Sequence, residues 1–415
     1  MTSLSPDVVI VGGGIAGGTM ATVLARNGLE VIVLERETNY PDRVRGEWMA
    51  PWGVAEFKRL GLIKLLQDNG AIQVERNVPY DENWAPDAAE QRAFDFTKLP
   101  PDLPTPICIG HPTMCNAFAA AAKAAGAQIL TGIKHFQVMA GARPTVSFSS
   151  NDAPIQLTPR LVIGADGRNS VLRKQLGFSV QAEEPHNLLG GMLVANVPDW
   201  PRQIQAIGTE DRLHFLVFPQ GKDLVRLYAC YDFSDRQKFA GPDRAARLLQ
   251  AYRLKCLPHA EAIIGGTPIS PFYSYSNEDH WVDDPTLPGV VLVGDAAGHN
   301  DPITGQGLSI AARDVRIVSE ILLSTKYWDR LDLEAYVDER RERLRRLRIT
   351  AGLATKIRVE FGEDAKQRRA RVSNRMLERQ LSPLPAAVIG PERLSAEAYT
   401  PETIEKLVAP TREKF

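Results

Sequence analysis

"VIVGGGIAGGTMATVLARNGLEVIVLERE", Val9 to Glu37, is the stretch that decides the fold. Val8–Val11 is a β-branched run with no polar alternation, the pattern of a strand buried on both faces. Gly12-x-Gly14-x-x-Gly17 comes next, and Gly17–Asn27 reads as a helix. Val31–Leu34 is a second buried strand that stops on Glu35. Together they make a βαβ unit. Gly12 permits the tight turn, Gly14 lets backbone approach a pyrophosphate, and Gly17 lets helix and strand pack closely. Ile15 and Ala16 lie in the first helical turn, where free N–H groups and the helix dipole meet a phosphate. Glu35, with Arg36 beside it, stands where a carboxylate reaches ribose hydroxyls. The pattern suits NAD and FAD equally.

The 415 residues leave room for about two domains. A hydrophobic share of 44% with 24% charged residues is that of an ordinary globular chain. A net charge of −1 gives no pull toward nucleic acid or anionic membrane. Cys108, Cys115, Cys230 and Cys256 contain no CxxC pair and read as reduced thiols of a cytoplasmic protein. The seven histidines form no close pair suited to a metal, so no metal site is expected. No basic region precedes the N-terminal apolar run, which glycines soon interrupt, so it reads as a strand and not a signal peptide. No stretch reaches the roughly 18 apolar residues of a membrane span.

Two more turns carry chemistry. In "VIGADGRNSVLRKQLG", Val162 to Gly177, Asp166-Gly167 turns the chain after a strand, and Asn169 or Ser170 can cap the next helical turn. A strand-turn-helix without a ligand explains this stretch equally well. In "GVVLVGDAAGHNDPITGQGLSIAARD", Gly289 to Asp314, a buried strand ends at Gly294. That puts Asp295 at the carboxyl edge of the sheet, where α/β ligands sit. Pro302 stiffens the next loop, and Gly305-Gln306-Gly307-Leu308 opens a helix whose N-terminus favours negative charge.

Between these turns, "LHFLVF" and "LVRLYACY" flank "PQGKD", the signature of an antiparallel hairpin. His214, Leu216 and Phe218 share one face of its first strand. Met114–Ala125 reads as a helix leading to a strand at Gln128–Thr131, and residues 76–106 as irregular cover. The expected architecture is α/β: a Rossmann-like nucleotide-binding domain (1–75, 105–178 and 285–330), an inserted antiparallel-sheet substrate domain (76–104 and 179–284) and a helical C-terminal region (331–415). In that last region Arg340, Arg341, Arg343, Arg345, Arg346 and Arg348 crowd together. Glu339 and Glu342 break the run and Leu344 and Leu347 give it an apolar face, so it reads as a solvated helix.

In this order the three motifs resemble those of the class A flavoprotein monooxygenases, the para-hydroxybenzoate hydroxylase group, over about residues 6–325. The resemblance implies that the glycine triplet binds the ADP half of a non-covalent FAD. It implies that Asp166 of "GADGRNSVLR" serves both FAD and NAD(P)H, and that Asp295 of "GDAAGHNDPITGQG" binds the ribityl chain. "RVRGEWMAPWGVAEFKRLGL" is similar to the Arg-Gly segment of the squalene-epoxidase and halogenase branches. By that likeness Arg45 contacts FAD or gates NAD(P)H access, and Trp48 lies near the substrate cavity, with His214, Leu216 and Phe218 as one wall. His111 stands where the family usually has an arginine that touches FAD. The implied reaction uses NAD(P)H, O₂ and a flavin C4a-hydroperoxide to hydroxylate or epoxidise a small apolar or aromatic molecule, the cofactor carrying the reactivity and the protein excluding water.

With a single glycine-triplet unit, NAD(P)H has no Rossmann domain of its own. The absence of a redox cysteine pair argues against disulfide reductases. A flavin-dependent halogenase is the alternative, although the W-x-W-x-I-P motif of tryptophan halogenases is missing. An FAD-dependent reductase of isoprenoid double bonds and a non-enzymatic FAD-binding protein also fit the three motifs.

Overall fold

A computed structural model of the chain describes residues 3–44, 46–150, 153–328, 331–377 and 380–410. It has the expected mixed α/β architecture. Strand β1 (Val8–Val11), helix α1 (Ile15–Arg26) and strand β2 (Val31–Leu34) form the βαβ unit, the helix starting two residues earlier than its apolar pattern suggests. Helix α2 (His111–Ala124) leads to β3 (Gln128–Leu130), and β4 is Leu161–Gly164. The main sheet runs in the order Thr286–Leu287, Val290–Leu292, β4, β1, β2, β3, parallel except for its first strand.

Both faces of this sheet are covered, which is why its strands lack polar alternation. Val8, Ile10, Val31 and Val33 pack on Met20, Leu24, Phe118 and Val315. Val9, Val11, Ile32 and Leu34 pack the other way, on Val138, Val146, Phe148 and Leu157 of a small, mostly antiparallel four-stranded sheet. Val11 pairs with Gly164, and Gly164 with Leu292. The three motif turns therefore leave the sheet side by side at its carboxyl edge.

A second, eight-stranded sheet is built on β5 (Asn187–Ala195), β6 (Ile204–Glu210) and the predicted hairpin of β7 (Leu213–Gly221) and β8 (Leu224–Asp232). Residues 76–106 are more ordered than irregular cover. Arg76–Val78 pairs with β6 and Phe94–Asp95 continues the sheet. Such strands are too short for a period-two signal to register. Leu213, Phe215 and Val217 enter one core with Leu248 and Tyr252. Leu216 and Phe218 enter another with Tyr228, Cys230, Ile303 and Trp48.

The C-terminal region is helical: α3 (Gly307–Ser324) precedes α4 (Glu334–Arg358), which is followed by helices Glu363–Leu377 and Pro401–Val408. The reading of α4 as a solvated arginine helix needs correction. Arg341 and Arg345 are outside, but Arg340 and Arg343 are buried. Their spacing from Leu344 and Leu347 puts them on the apolar face, and long stems carry their guanidinium groups into the interior to meet Asp314. Among the described residues, no helix is long and apolar enough to cross a membrane.

Candidate active site at the carboxyl edge of the sheet

The first turn is set by close backbone packing. Gly12 has φ +98°, and a Cβ there would lie 2.5 Å from the Ala165 oxygen; one on Gly17 would lie 1.8 Å from the Gly12 oxygen. A Cβ on Gly14 would meet nothing within 4 Å, so this glycine borders open space. No side chain caps α1 and its first turn has no acid, leaving the dipole's positive end available around Ile15 and Ala16. The Glu35 carboxylate is buried and accepts from Gly13 N–H at 2.6 Å and Glu37 N–H at 2.7 Å. Arg36 is exposed and pairs with Glu37.

In the second turn, Asp166 accepts from Ser170 Oγ (2.5 Å), Val171 N–H (2.7 Å) and Leu172 N–H (3.0 Å). The cap itself is Ser170, accepting from Arg173 N–H at 2.9 Å. Arg173 then clamps the third turn, donating to the carbonyls of Ala296 (2.8 Å) and Asp295 (3.2 Å).

The third turn is gripped from behind. Gly294 N–H donates to Asp314 Oδ2 at 2.8 Å, and Arg340 donates to the carbonyls of Gly294 and Gly298. Asp295 sits half-buried at the sheet edge. Pro302 opens a short 3₁₀ turn whose Ile303 N–H donates to the Asp301 carboxylate. Gly305 has φ +67°, and a Cβ there would lie 2.9 Å from the Trp48 ring. The Gln306 side chain accepts from Trp52 Nε1 and donates to the carbonyls of Thr304 and Ala387. Gly307 starts α3. Leu308 and His111, which heads α2, flank Gly46: a Cβ there would be 3.5 Å from each. Arg45 lies outside the described residues.

Trp48 and Phe218 stack with ring centroids 6.1 Å apart, and Leu216 joins the same cluster. His214 is buried, its Nδ1 3.0 Å from Thr209 Oγ1 and its Nε2 without a partner among the described residues. Burial pushes its pKa well down, so the ring is neutral at physiological pH. The motifs did not disclose the tie between this segment and the sheet. Arg226 meets Glu47 at 2.6 Å and Asp42 at 2.7 Å, while Tyr228 donates to Glu47 at 2.8 Å. An arginine within "LVRLYACY" was the available signal, since a charge in an apolar strand needs a buried partner.

Two histidines that are far apart in the chain meet in the fold. His280 and His299, nineteen positions apart, stack at 4.5 Å because His280 N–H donates to the His299 carbonyl. With Glu278 they place three metal-competent atoms within 4.8 Å of one another. Arg168 already bonds two of them, His299 Nε2 at 2.8 Å and Glu278 Oε1 at 3.0 Å, so a guanidinium stands where a metal cation would. His299 and Arg168 hold the Glu278 carboxyl down at about 2.

Squalene epoxidase 3 of Arabidopsis thaliana is 26% identical over 327 residues, covering 76% of this chain and 60% of its own length. Squalene monooxygenase of Mus musculus is 24% identical over 334 residues, covering 76% of this chain and 54% of its own. The chain thus spans little more than half the length of these relatives. Among solved structures, p-nitrophenol 4-monooxygenase PnpA from Pseudomonas putida DLL-E4 superposes with a TM-score of 0.73 at 19% identity, covering 97% of this chain and 99% of its own. CmlS, a flavin-dependent halogenase, gives 0.71 at 17%, covering 89% and 70%. At such identities these two bear on the fold alone. The family described as FAD binding domain matches residues 5–349. With that match across most of its length, the chain belongs to the FAD-binding-domain family, and its relatives include flavoprotein monooxygenases.

Proposed function

We propose that the chain binds FAD non-covalently and, with NAD(P)H and O₂, oxygenates a small apolar or aromatic molecule. The observation that carries this reading is the meeting of three turns at one sheet edge, where Gly14 faces open space between an uncapped helix N-terminus and a buried carboxylate. That cradle suits a pyrophosphate with its ribose. Gly12, Gly14, Ile15, Ala16, Gly17, Glu35 and Arg36 would hold the ADP half. Gly294, Asp295, Pro302, Gly305, Gln306, Gly307 and Leu308, with His111 and Arg45, would line the other half. FAD, when bound, supplies the electron transfer and the oxygen chemistry.

The chain's own residues do the positioning. The N-terminus of α3 favours negative charge next to it. Arg173 and Arg340 fix the loop that carries Asp295. Trp48, Leu216 and Phe218 form a wall that excludes water from the reacting side, with His214 as a neutral polar group at its end. Asp166 holds its corner rigid, and we assign it a part in NAD(P)H reaction on the family likeness.

Heating the purified yellow protein should release free FAD, and apolar aromatic candidates should accelerate NAD(P)H-dependent O₂ uptake without added chloride or bromide. Release of FMN, a chromophore that stays on the denatured chain, or NAD(P)H oxidation with no O₂ uptake would reject the reading.

A further inference from the structure

Strand β8 carries an arginine into a buried corner that adjoins the aromatic wall. Arg226 is 1% exposed and stands directly across from Phe218 in the β7–β8 ladder, so the two side chains share a face. Its guanidinium meets Asp42 Oδ2 at 2.7 Å and Glu47 Oε1 at 2.6 Å. Tyr228, next along that face, donates to the other Glu47 oxygen at 2.8 Å.

Asp42 and Glu47 bracket Val44, whose backbone is strained. Val44 has φ +53°, a left-handed conformation that a β-branched residue holds only where its surroundings impose it. Those surroundings are visible. Asp42 Oδ1 accepts from Val44 N–H at 2.9 Å, and Tyr275 donates to the Arg43 carbonyl at 2.7 Å. The Val44 side chain sits on β5 at Gly191, where a Cβ would come within 2.8 Å of it. Arg226 grips the chain on both sides of this strained residue.

The residue after Glu47 is Trp48. Its backbone pairs with Cys108, and its ring stacks on Phe218 with the planes 28° apart. Arg226, Glu47, Trp48 and Phe218 therefore form a closed circuit, since Phe218 lies opposite Arg226. Contact between rings tolerates sliding, whereas buried charge-assisted hydrogen bonds are directional. The pair is the part of the circuit able to dictate where Trp48 stands.

We propose that Arg226 is a positioning residue: through Glu47 it sets the Trp48 ring against Phe218 and so fixes the shape of the aromatic wall. That this wall is the substrate side rests on the functional reading above; the placement of Trp48 by Arg226 does not.

The test is fluorine NMR of the FAD-loaded protein labelled with 5-fluorotryptophan, the Trp48 resonance being the one lost in Trp48→Phe. Arg226→Met should shift that resonance and leave those of Trp84 and Trp328, which pack in other clusters, in place. Peroxide released per NAD(P)H should rise by about twofold or more. The same variant leaves Glu47 buried without its cation and should lower the urea midpoint. Glu47→Leu/Arg226→Met/Tyr228→Phe replaces the whole group by apolar side chains and should regain that midpoint while Trp48 stays displaced. A structural role alone would make stability and Trp48 placement return together. Should Arg226→Met not fold, the triple variant decides by itself. A Trp48 resonance at its wild-type position in either variant would overturn the inference. Displaced Trp48 with unchanged peroxide release would uphold it and reject this wall as the substrate side. If the protein holds no FAD, the functional reading fails instead, and the spectra of the protein as isolated still read Trp48.

Discussion

Arg343 and Asp314 meet at 2.6 Å inside the protein, and through them α4 holds the turn that carries Asp295. Asp314 lies on α3 and accepts at the same time from Arg340 and from Gly294 N–H. Removing Arg343 leaves the buried Asp314 with Arg340 as its remaining cation and breaks a fully buried pair. Arg343→Ala should lower stability by about 3–5 kcal/mol and weaken FAD retention. Arg341→Ala, at an exposed pair with Asp338, should cost about 0.5 kcal/mol or less. Urea unfolding of the two variants side by side checks this, and equal losses would mean that the buried pair holds nothing.

Gly14 and Gly17 separate ligand contact from fold. A Cβ at Gly17 collides with the Gly12 backbone, whereas one at Gly14 enters space that the protein leaves open. Gly14→Ala should keep the wild-type melting temperature yet lose about tenfold or more in FAD affinity, because the methyl stands where the pyrophosphate must approach. Gly17→Ala should lose both. Undiminished FAD affinity in Gly14→Ala would move the cofactor away from this turn.

Asp166 makes three hydrogen bonds within its own corner. Asp166→Ala should therefore destabilise by about 1–3 kcal/mol and also slow anaerobic flavin reduction by NAD(P)H while some FAD stays bound. A variant that is destabilised but reduced at the wild-type rate would leave Asp166 a purely structural role.

How much of this is legible in the sequence can be traced residue by residue. Gly12, Gly17 and the paired apolar strands are legible because local chemistry dictates them: one backbone contact or one buried face explains each. Arg340 and Arg343 are not, since a run of arginines reads as surface until α3 presents Asp314 to it. His280 and His299 are hidden for a similar reason, as backbone bonds between two distant segments bring them together. Glu47 and Arg226 lie far apart in the chain and become a pair only when the Arg-Gly segment crosses the second sheet. Partners that arrive from remote segments leave no periodic trace.

Asp301 gives a pH dependence whose sign is set by its burial. Its carboxyl, ordinarily near 3.9, is pushed up to about 7 in the folded chain. Between those values the folded state keeps a proton that the unfolded state has released, so this group subtracts stability as pH rises from about 4 to about 7. Asp301→Asn keeps an acceptor for Ile303 N–H and removes the titration. Its stability should fall less than wild type over that window, by about 1–3 kcal/mol. Asp279, at about 6, contributes in the same direction, so some slope remains. Urea midpoints at about pH 5 and about pH 7.5 read the difference, and parallel curves for the two proteins would contradict it.

The last prediction concerns the face of the flavin on which substrate sits. Phe218 lies between Trp48 at 6.1 Å and Tyr228 at 6.0 Å, so the rings close the side of the sheet that looks toward Pro302 and Gly305. Trp48 also sets how near that loop can come, because a Cβ on Gly305 would already touch its ring. Replacing either aromatic by alanine removes a large volume from a dry cluster, and water enters where the rings stood. An oxygenating site that admits water wastes reducing equivalents. Trp48→Ala and Phe218→Ala should therefore raise the hydrogen peroxide released per NAD(P)H consumed, with FAD affinity held within about threefold because neither ring belongs to the phosphate cradle. His214→Gln, on the same strand face but at the cluster's edge, should change coupling less. Unchanged coupling in both alanine variants would put the substrate on the opposite face and leave these rings as packing for the second sheet.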